Sequence, residues 1–198
     1  MPRESTFTTD QLTERALQQF WVHGFNATSM DALVRSTGVS RHGIYAAFGG
    51  KKSLFHACFE RYQDTVVTPA FGRVEQPTAS LNDVADYFET QISLGASVGL
   101  PGPGCFVANS ETEVAPHDEI TQTKVVEHNQ RLAAGFRNAL GNEHKNRPST
   151  RQVDLDGLAN VSVVFTNGLW SMSRTTGDVN VLRAVVKTFL TTLDSELK

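Results

Sequence analysis

Residues 29–48 read Ser29-Met30-Asp31-Ala32-Leu33-Val34-Arg35-Ser36-Thr37-Gly38-Val39-Ser40-Arg41-His42-Gly43-Ile44-Tyr45-Ala46-Ala47-Phe48. Ser29 is a side-chain cap for a helix, and Asp31 in its first turn suits the positive end of the helix dipole. Gly38 stops that helix, Thr37-Gly38-Val39 turns the chain, and Ser40 caps a second short helix. Helix, three-residue turn and helix is the geometry in which the second helix enters the major groove of DNA. Ala32, Val39, Ile44 and Phe48 are placed to hold the two helices together. Ser40, Arg41, His42, Gly43 and Tyr45 then face outward. Arg41 is suited to a guanine edge or a phosphate, Tyr45 offers a phenolic donor, and Gly43 lets the backbone approach closely. Thr28 and Ser29 set a hydroxyl and free N–H groups at a helix N-terminus, a natural phosphate site, and Lys51 reaches towards the same backbone.

Helical periodicity continues outward in both directions, and strand alternation is hard to find. Thr8-Thr9-Asp10-Gln11 fits a capping box, followed by the apolar face Leu12, Ala16, Leu17 and Phe20 and a stop at Gly24. A fourth helix runs from Lys51 to about Val67 with Phe55, Phe59, Tyr62 and Val66 in one stripe. Pro69 and Pro77 bracket the best candidate hinge. Leu81, Val84, Ala85, Phe88 and Ile92 make an amphipathic helix, Pro101-Gly102-Pro103-Gly104 breaks the chain, and Cys105 opens a helix to about Val114. A further helix spans about 118–140, and 141–151 reads as a polar surface loop. The last two helices carry heptad-like stripes: Leu158, Val161, Phe165, Gly168 and Met172, then Leu182, Val186, Phe189 and Leu193. Such a hairpin offers a seam for a second copy, or packs into the chain's own core.

The chain has 198 residues, 39% hydrophobic and 20% charged, with a formal net charge of −3. That composition is globular, and the length buries enough surface to need no disulfide or metal staple. Cys58 and Cys105 are too few for a secreted disulfide framework, no run approaches a membrane span, and no signal-peptide core opens the sequence. A cytoplasmic protein is expected. Residues 1–52 hold six basic against four acidic side chains, whereas the rest holds twelve against seventeen. A positive end on an acidic body permits one oriented contact with a polyanion.

Residues 9–66 resemble the N-terminal domain of the TetR family of bacterial transcriptional repressors. The resemblance rests on Ala16, Phe20, Gly24, Phe25, Thr28, Ser29, Met30, Ala32, Gly38, Val39, Ser40, Ile44, Tyr45, Phe48, Lys51, Leu54 and Phe55. It implies an all-α, nine-helix, Ω-shaped homodimer. A three-helix head and connecting helix (6–66) bind DNA, and an effector-binding and dimerisation body occupies 67–198. It carries DNA contact over to Thr28, Ser29, Ser40, Arg41, His42, Gly43, Tyr45 and Lys51. His42-Gly43 departs from the usual small residues, so base preference does not transfer. The expected interface is Val161, Phe165, Gly168, Met172, Val186, Phe189 and Leu193.

The expected function is that of a repressor binding a palindromic operator as a dimer and released by a small molecule. Phe88, Cys105, Phe106, Asn109, Phe136 and Trp170 are the candidate ligand contacts. Some family members with a similar Gly-Cys start to this helix sense electrophiles or oxidants, and a helix N-terminus lowers a thiol's pKa, so Cys105 is either an alternative trigger or a small buried residue filling a gap. Cys58 reads as core. A cysteine enzyme or metabolite binder with a vestigial head is the rival from another class. No nucleophile elbow, phosphate loop or zinc-peptidase motif supports it, and nothing positions a histidine for Cys105. No cofactor or metal is expected: His117, Asp118, Glu119 and His128 could suggest a metal site, but the first three are consecutive and point in different directions.

Overall fold

The computed structural model describes residues 8–147 and 152–198. Among these residues the chain is helical and contains no strand. We number the helices α1 (Thr9–His23), α2 (Met30–Thr37), α3 (Arg41–Phe48), α4, α5 (Leu81–Val98), α6 (Phe106–Glu113), α7 (Glu119–Lys145), α8 (Leu155–Met172) and α9 (Val179–Glu196). Helix α4 joins Lys51–Tyr62, a π turn Gln63–Val67 and Thr68–Phe71 without a break.

The head is built from local signals. Thr8 and Gln11 form the capping box in front of α1. The Ser29 and Ser40 side chains accept the N–H groups of Ala32 and Gly43, capping α2 and α3. Gly38 ends α2 in the left-handed conformation, at φ 74°. Leu12, Ala16, Leu17, Phe20, Leu33, Ile44, Leu54 and Phe55 bury together as one core. That core continues into the body through Phe55, Phe59 and Tyr62, which pack around Phe106 of α6.

Pro69 does not mark a hinge. The backbone stays right-handed helical through Val67 and Thr68, and the Thr68 N–H bonds back five residues to Gln63. The π turn changes the hydrogen-bond register just before the proline, which itself has no N–H to place. The 66/67 division therefore falls inside α4, and irregular chain begins only after Phe71.

The polar stretch expected as a loop from 141 is helical to Lys145, while 148–151 lie outside the described residues. Its polar side chains are engaged in tertiary bonds. Asn142 Nδ2 donates to Pro77 O at 2.8 Å and Ala79 O at 2.9 Å, and Arg147 Nη1 donates to Asp194 O at 2.9 Å.

The two final helices also differ from their stripes. Leu182, Val186, Phe189 and Leu193 are buried in the chain's own core, where α9 packs on α5. Phe189 stacks on Phe165 with centroids 3.8 Å apart and meets Phe88 edge-on. On α8 the buried positions are Ala159, Ser162, Val163, Thr166 and Leu169. Ser162 and Thr166 satisfy their hydroxyls on carbonyls one turn back, which lets them bury as small side chains. Of the expected interface residues, Val186, Phe189 and Leu193 are thus inside the protomer, and Phe165 and Met172 are half-buried. Val161 and Gly168 are exposed, beside Val164, Val181 and Val185.

Candidate nucleic-acid interface and its link to a body cavity

Helix α3 presents Arg41, His42 and Tyr45 to solvent, with Ser40 at its cap. Arg41 Nη2 donates to Asp31 Oδ1 of α2 at 2.8 Å, an exposed pair that parts at little cost when a better acceptor arrives. Ser29 is exposed at the start of α2. All five residues are thus solvent-exposed, with the Arg41–Asp31 pair linking α3 to the first turn of α2.

Three other expected DNA contacts have inward roles. The Thr28 side chain is fully buried, and its hydroxyl donates to Gly24 O at 2.6 Å. Lys51 donates to Phe25 O and Thr28 O, both at 2.8 Å, with its ammonium 4.1 Å from the Phe25 ring centroid. Burial lowers the Lys51 pKa against the pull of Glu113. Its charge ties the α1–α2 turn to the start of α4. At Gly43 an added Cβ would lie 2.8 Å from Val39 Cγ1. The missing side chain therefore serves the packing of α3 on the turn before it.

The head is fastened to the body at a second place besides α4. Both oxygens of Glu113, at the end of α6, accept from the α1–α2 turn: Phe25 N–H at 3.0 Å and Asn26 N–H at 2.8 Å. Gly24 turns at φ 82°, and a Cβ there would meet Glu113 Oε2 at 2.8 Å. Glycine thus supplies both the turn and the room for the carboxylate. Trp21 of α1 donates its indole N–H to Gly104 O at 3.0 Å and packs edge-on against Tyr62, with centroids 5.0 Å apart. His56 of α4 contacts Asp118 Oδ2 at 2.6 Å, and Lys52 Nζ lies 3.5 Å from the other oxygen. Burial works to raise the Asp118 carboxyl, but His56, Thr121 and Lys52 together hold it below its usual value.

Behind Trp21 lies a cavity of about 510 Å³, within the range of small-molecule sites. Its walls include Trp21, Tyr62, Val66, Phe71, Tyr87, Ile92, Leu132 and Trp170, with Thr166, Asn167 and His128 as polar groups. Leu94 and Val98, both exposed, stand at its rim with Arg73, Asp83 and Asp86. The π turn contributes Thr65, Val66 and Val67.

Of the expected ligand contacts, Cys105 and Trp170 line this cavity, whereas Phe88, Phe106, Asn109 and Phe136 do not. The three phenylalanines are fully packed among other rings, and Asn109 spends its amide on Pro103 O at 2.8 Å. Amphipathic spacing marks the buried side of a helix without separating the part facing other side chains from the part facing a void. His128, which the sequence reading weighed only as a metal ligand, is a buried polar residue of the wall.

Cys105 is the N-cap of α6, so it precedes the first turn where it was expected. Burial pushes its thiol up. Hydrogen bonds from Ala108, Tyr62 and Val107 act in the lowering direction, as a helix N-terminus should, but they are outweighed. Of the two readings of Cys105, its burial and raised thiol favour the small packing residue over the activated thiolate. Cys58 is buried as expected, with its thiol also raised. Among the described residues no three His, Cys, Asp or Glu side chains converge as for a metal ion, and no helix is long and apolar enough to cross a membrane.

Residues 12–58 match the family model described as bacterial regulatory proteins, tetR family. The HTH-type transcriptional repressor ComR of Escherichia coli is 33% identical over 115 residues, which span 58% of this chain and 54% of that protein. An uncharacterized HTH-type transcriptional regulator, YezE of Bacillus subtilis, is 24% identical over 98% of this chain and 100% of its own length. A cysteine-substituted form of the TetR family regulator CifR, solved with 26-base-pair operator DNA, superposes with a TM-score of 0.82. It is 22% identical, over 95% of this chain and 98% of that one.

Proposed function

We propose that this chain, whose residues 12–58 match the tetR family model, is a ligand-responsive repressor of that family that binds a palindromic operator as a homodimer. The observation that carries the reading is the position of Trp21: a residue of the DNA-reading head forms part of the wall of the body cavity. A molecule entering that cavity touches the head directly. Base reading falls to Arg41, His42 and Tyr45, and backbone positioning to Ser29 and Ser40. The head, from α1 to the start of α4, reads DNA, and the remaining helices form the responsive and dimerising body.

The exposed valines Val161 and Val164 on α8 and Val181 and Val185 on α9 support a seam with a second copy on the outward face of this hairpin. Two heads are then spaced for successive turns of the major groove, ~34 Å apart. An effector that favours the wrongly spaced state 100-fold shifts the equilibrium by about 2.7 kcal/mol.

The test is selection of bound sequences from a random DNA pool by the purified protein. A palindromic consensus is expected, with relaxed preference on Arg41→Ala at the bases that Arg41 reads. Binding that shows no sequence preference, or selection of a single half-site by a monomer, refutes the proposal.

A further inference from the structure

The wall of the cavity contains one polar group whose hydrogen-bonding state is fixed by its neighbours. His128 of α7 is 5% exposed. Its Nδ1 lies 2.9 Å from Gln63 Nε2. The other end of the same amide is committed, because Gln63 Oε1 accepts from Arg131 Nη1 at 3.1 Å. Arg131 is itself locked by two bonds to Glu75, at 2.6 and 2.8 Å, and by Thr68. The arginine has only donors, so the glutamine must turn its oxygen to Arg131 and its NH₂ to the histidine. Nδ1 is then an acceptor, and in the neutral ring the proton sits on Nε2. Burial, with Arg131 nearby, lowers the imidazole pKa to about 4, which keeps the ring neutral at ordinary pH.

Nε2–H has no protein acceptor among the described residues, and no buried side-chain nitrogen or oxygen is cut off from both partners and open space. Gln63 lines a smaller cavity and is absent from the walls of the main one, whereas His128 borders both. With Nδ1 turned to Gln63 and the smaller cavity, we infer that Nε2–H is the edge offered to the main cavity.

The rest of the wall limits what fits. Aromatic faces come from Trp21, Tyr62, Tyr87 and Trp170. The basic side chain in the lining is Arg73, largely exposed at the rim and paired with Asp83. Nothing inside neutralises an anion, and an unpaired charge taken into such a site is strongly disfavoured.

We infer that the cavity takes an uncharged aromatic molecule carrying an acceptor oxygen, a carbonyl in the simplest case, and that His128 Nε2–H is the donor that orients it. This rests on reading the cavity as the effector site. Gln63 and Arg131 are positioning residues that hold the ring in the required tautomer.

The chain has two tryptophans, Trp21 and Trp170, and both line the cavity, so quenching of their fluorescence reports occupancy. The probes are 2-acetylnaphthalene, 2-ethylnaphthalene and 2-naphthoate. In the unaltered protein both neutral probes bind and the carboxylate does not. His128→Leu weakens the ketone about fivefold, the scale of one neutral hydrogen bond, and leaves the hydrocarbon unchanged; His128→Gln, which restores an N–H donor, recovers part of the loss. Nitrogen-15 NMR of the unaltered protein, which needs no variant to fold, reads Nε2 as the protonated nitrogen. The inference is overturned if the proton is on Nδ1, if His128→Leu weakens both neutral probes alike, or if 2-naphthoate binds as well as the ketone. It is overturned too if neither neutral probe binds. Operator selection on the same preparation separates the two readings. Sequence-specific DNA binding without a ketone preference removes this inference alone, while probe binding without DNA recognition removes the repressor reading.

Discussion

Replacing Lys51 by methionine keeps most of the stem and removes the ammonium. That ammonium donates to two carbonyls of the α1–α2 turn at 2.8 Å each and lies over the Phe25 ring. Hydrogen bonds from a charged donor contribute ~1.5–3 kcal/mol each, and a cation over a ring about 0.5–1 kcal/mol. Relief of ammonium burial offsets part of this, because burial already lowers the Lys51 pKa. A net loss of about 2–3 kcal/mol follows, which for a chain of this size lowers Tm by ~5–10 °C. Urea or thermal unfolding measures that loss directly. The same variant is then titrated with operator DNA from low to high salt. A lysine bound to phosphate contributes about one to the slope of log K against log salt, and its removal lowers the slope by that amount. Lys51→Met should leave the slope unchanged while weakening binding through a less ordered head. An unchanged Tm together with a slope reduced by about one refutes the internal role and returns Lys51 to the DNA surface.

Three further outcomes are expected. His128 has a folded pKa near 4, below its unfolded value of 6.5, so the unfolded chain binds the extra proton first as pH falls. Stability is full above pH 6.5 and is lost towards pH 4 by about 3 kcal/mol, and urea melts of His128→Leu should lack that component. Val164→Glu, on the outward face of α8, should give folded monomers by sedimentation. Phe189→Glu should instead lose cooperative unfolding, because that ring is buried in the protomer's core. Gly43→Ala places a methyl 2.8 Å from Val39 Cγ1 and should cost about 1 kcal/mol and weaken DNA binding, with Val39→Ala restoring both. Equal effects of Gly43→Ala with and without Val39→Ala would exclude that contact as the cause.

The head was legible because its signals are local. Ser29, Gly38 and Ser40 each act on backbone groups within a few residues, and those caps stand where the sequence puts them. Which face of a residue is spoken for is a tertiary matter. From the sequence Thr28 and Lys51 look like phosphate ligands, whereas in the structure the carbonyls of Gly24, Phe25 and Thr28 accept from the Thr28 hydroxyl and from two of the three Lys51 N–H groups. In the body, hydropathy misjudged α8, where Ser162 and Thr166 bury and Val161 and Val164 do not. It also missed the cavity, since Gln63, His128 and Arg131 form a chain of donors and acceptors across 65 and 68 residues of separation. A signal was present at 128, in a histidine on the inward side of α7 three residues after Val125 and four before Leu132. Spacing alone does not distinguish such a residue from a packed one.

The second fastening, Glu113 on the α1–α2 turn, has a mechanical consequence. A body held at one point swivels about three axes; held at two, it turns only about the line joining them. With α4, Glu113 at the end of α6 and the Trp21–Gly104 bond as three separate supports, the head does not swivel freely on its connecting helix. The same geometry constrains domain exchange. A head cut at the start of α4 and joined to a foreign body leaves the Phe25 and Asn26 N–H groups and the Trp21 indole without Glu113 and Gly104. Such a chimera would keep the local caps of the head but lose its contacts with the body outside α4. Transplanting an acid at the position of Glu113 along with the head is the smallest change that gives the graft a second point of support.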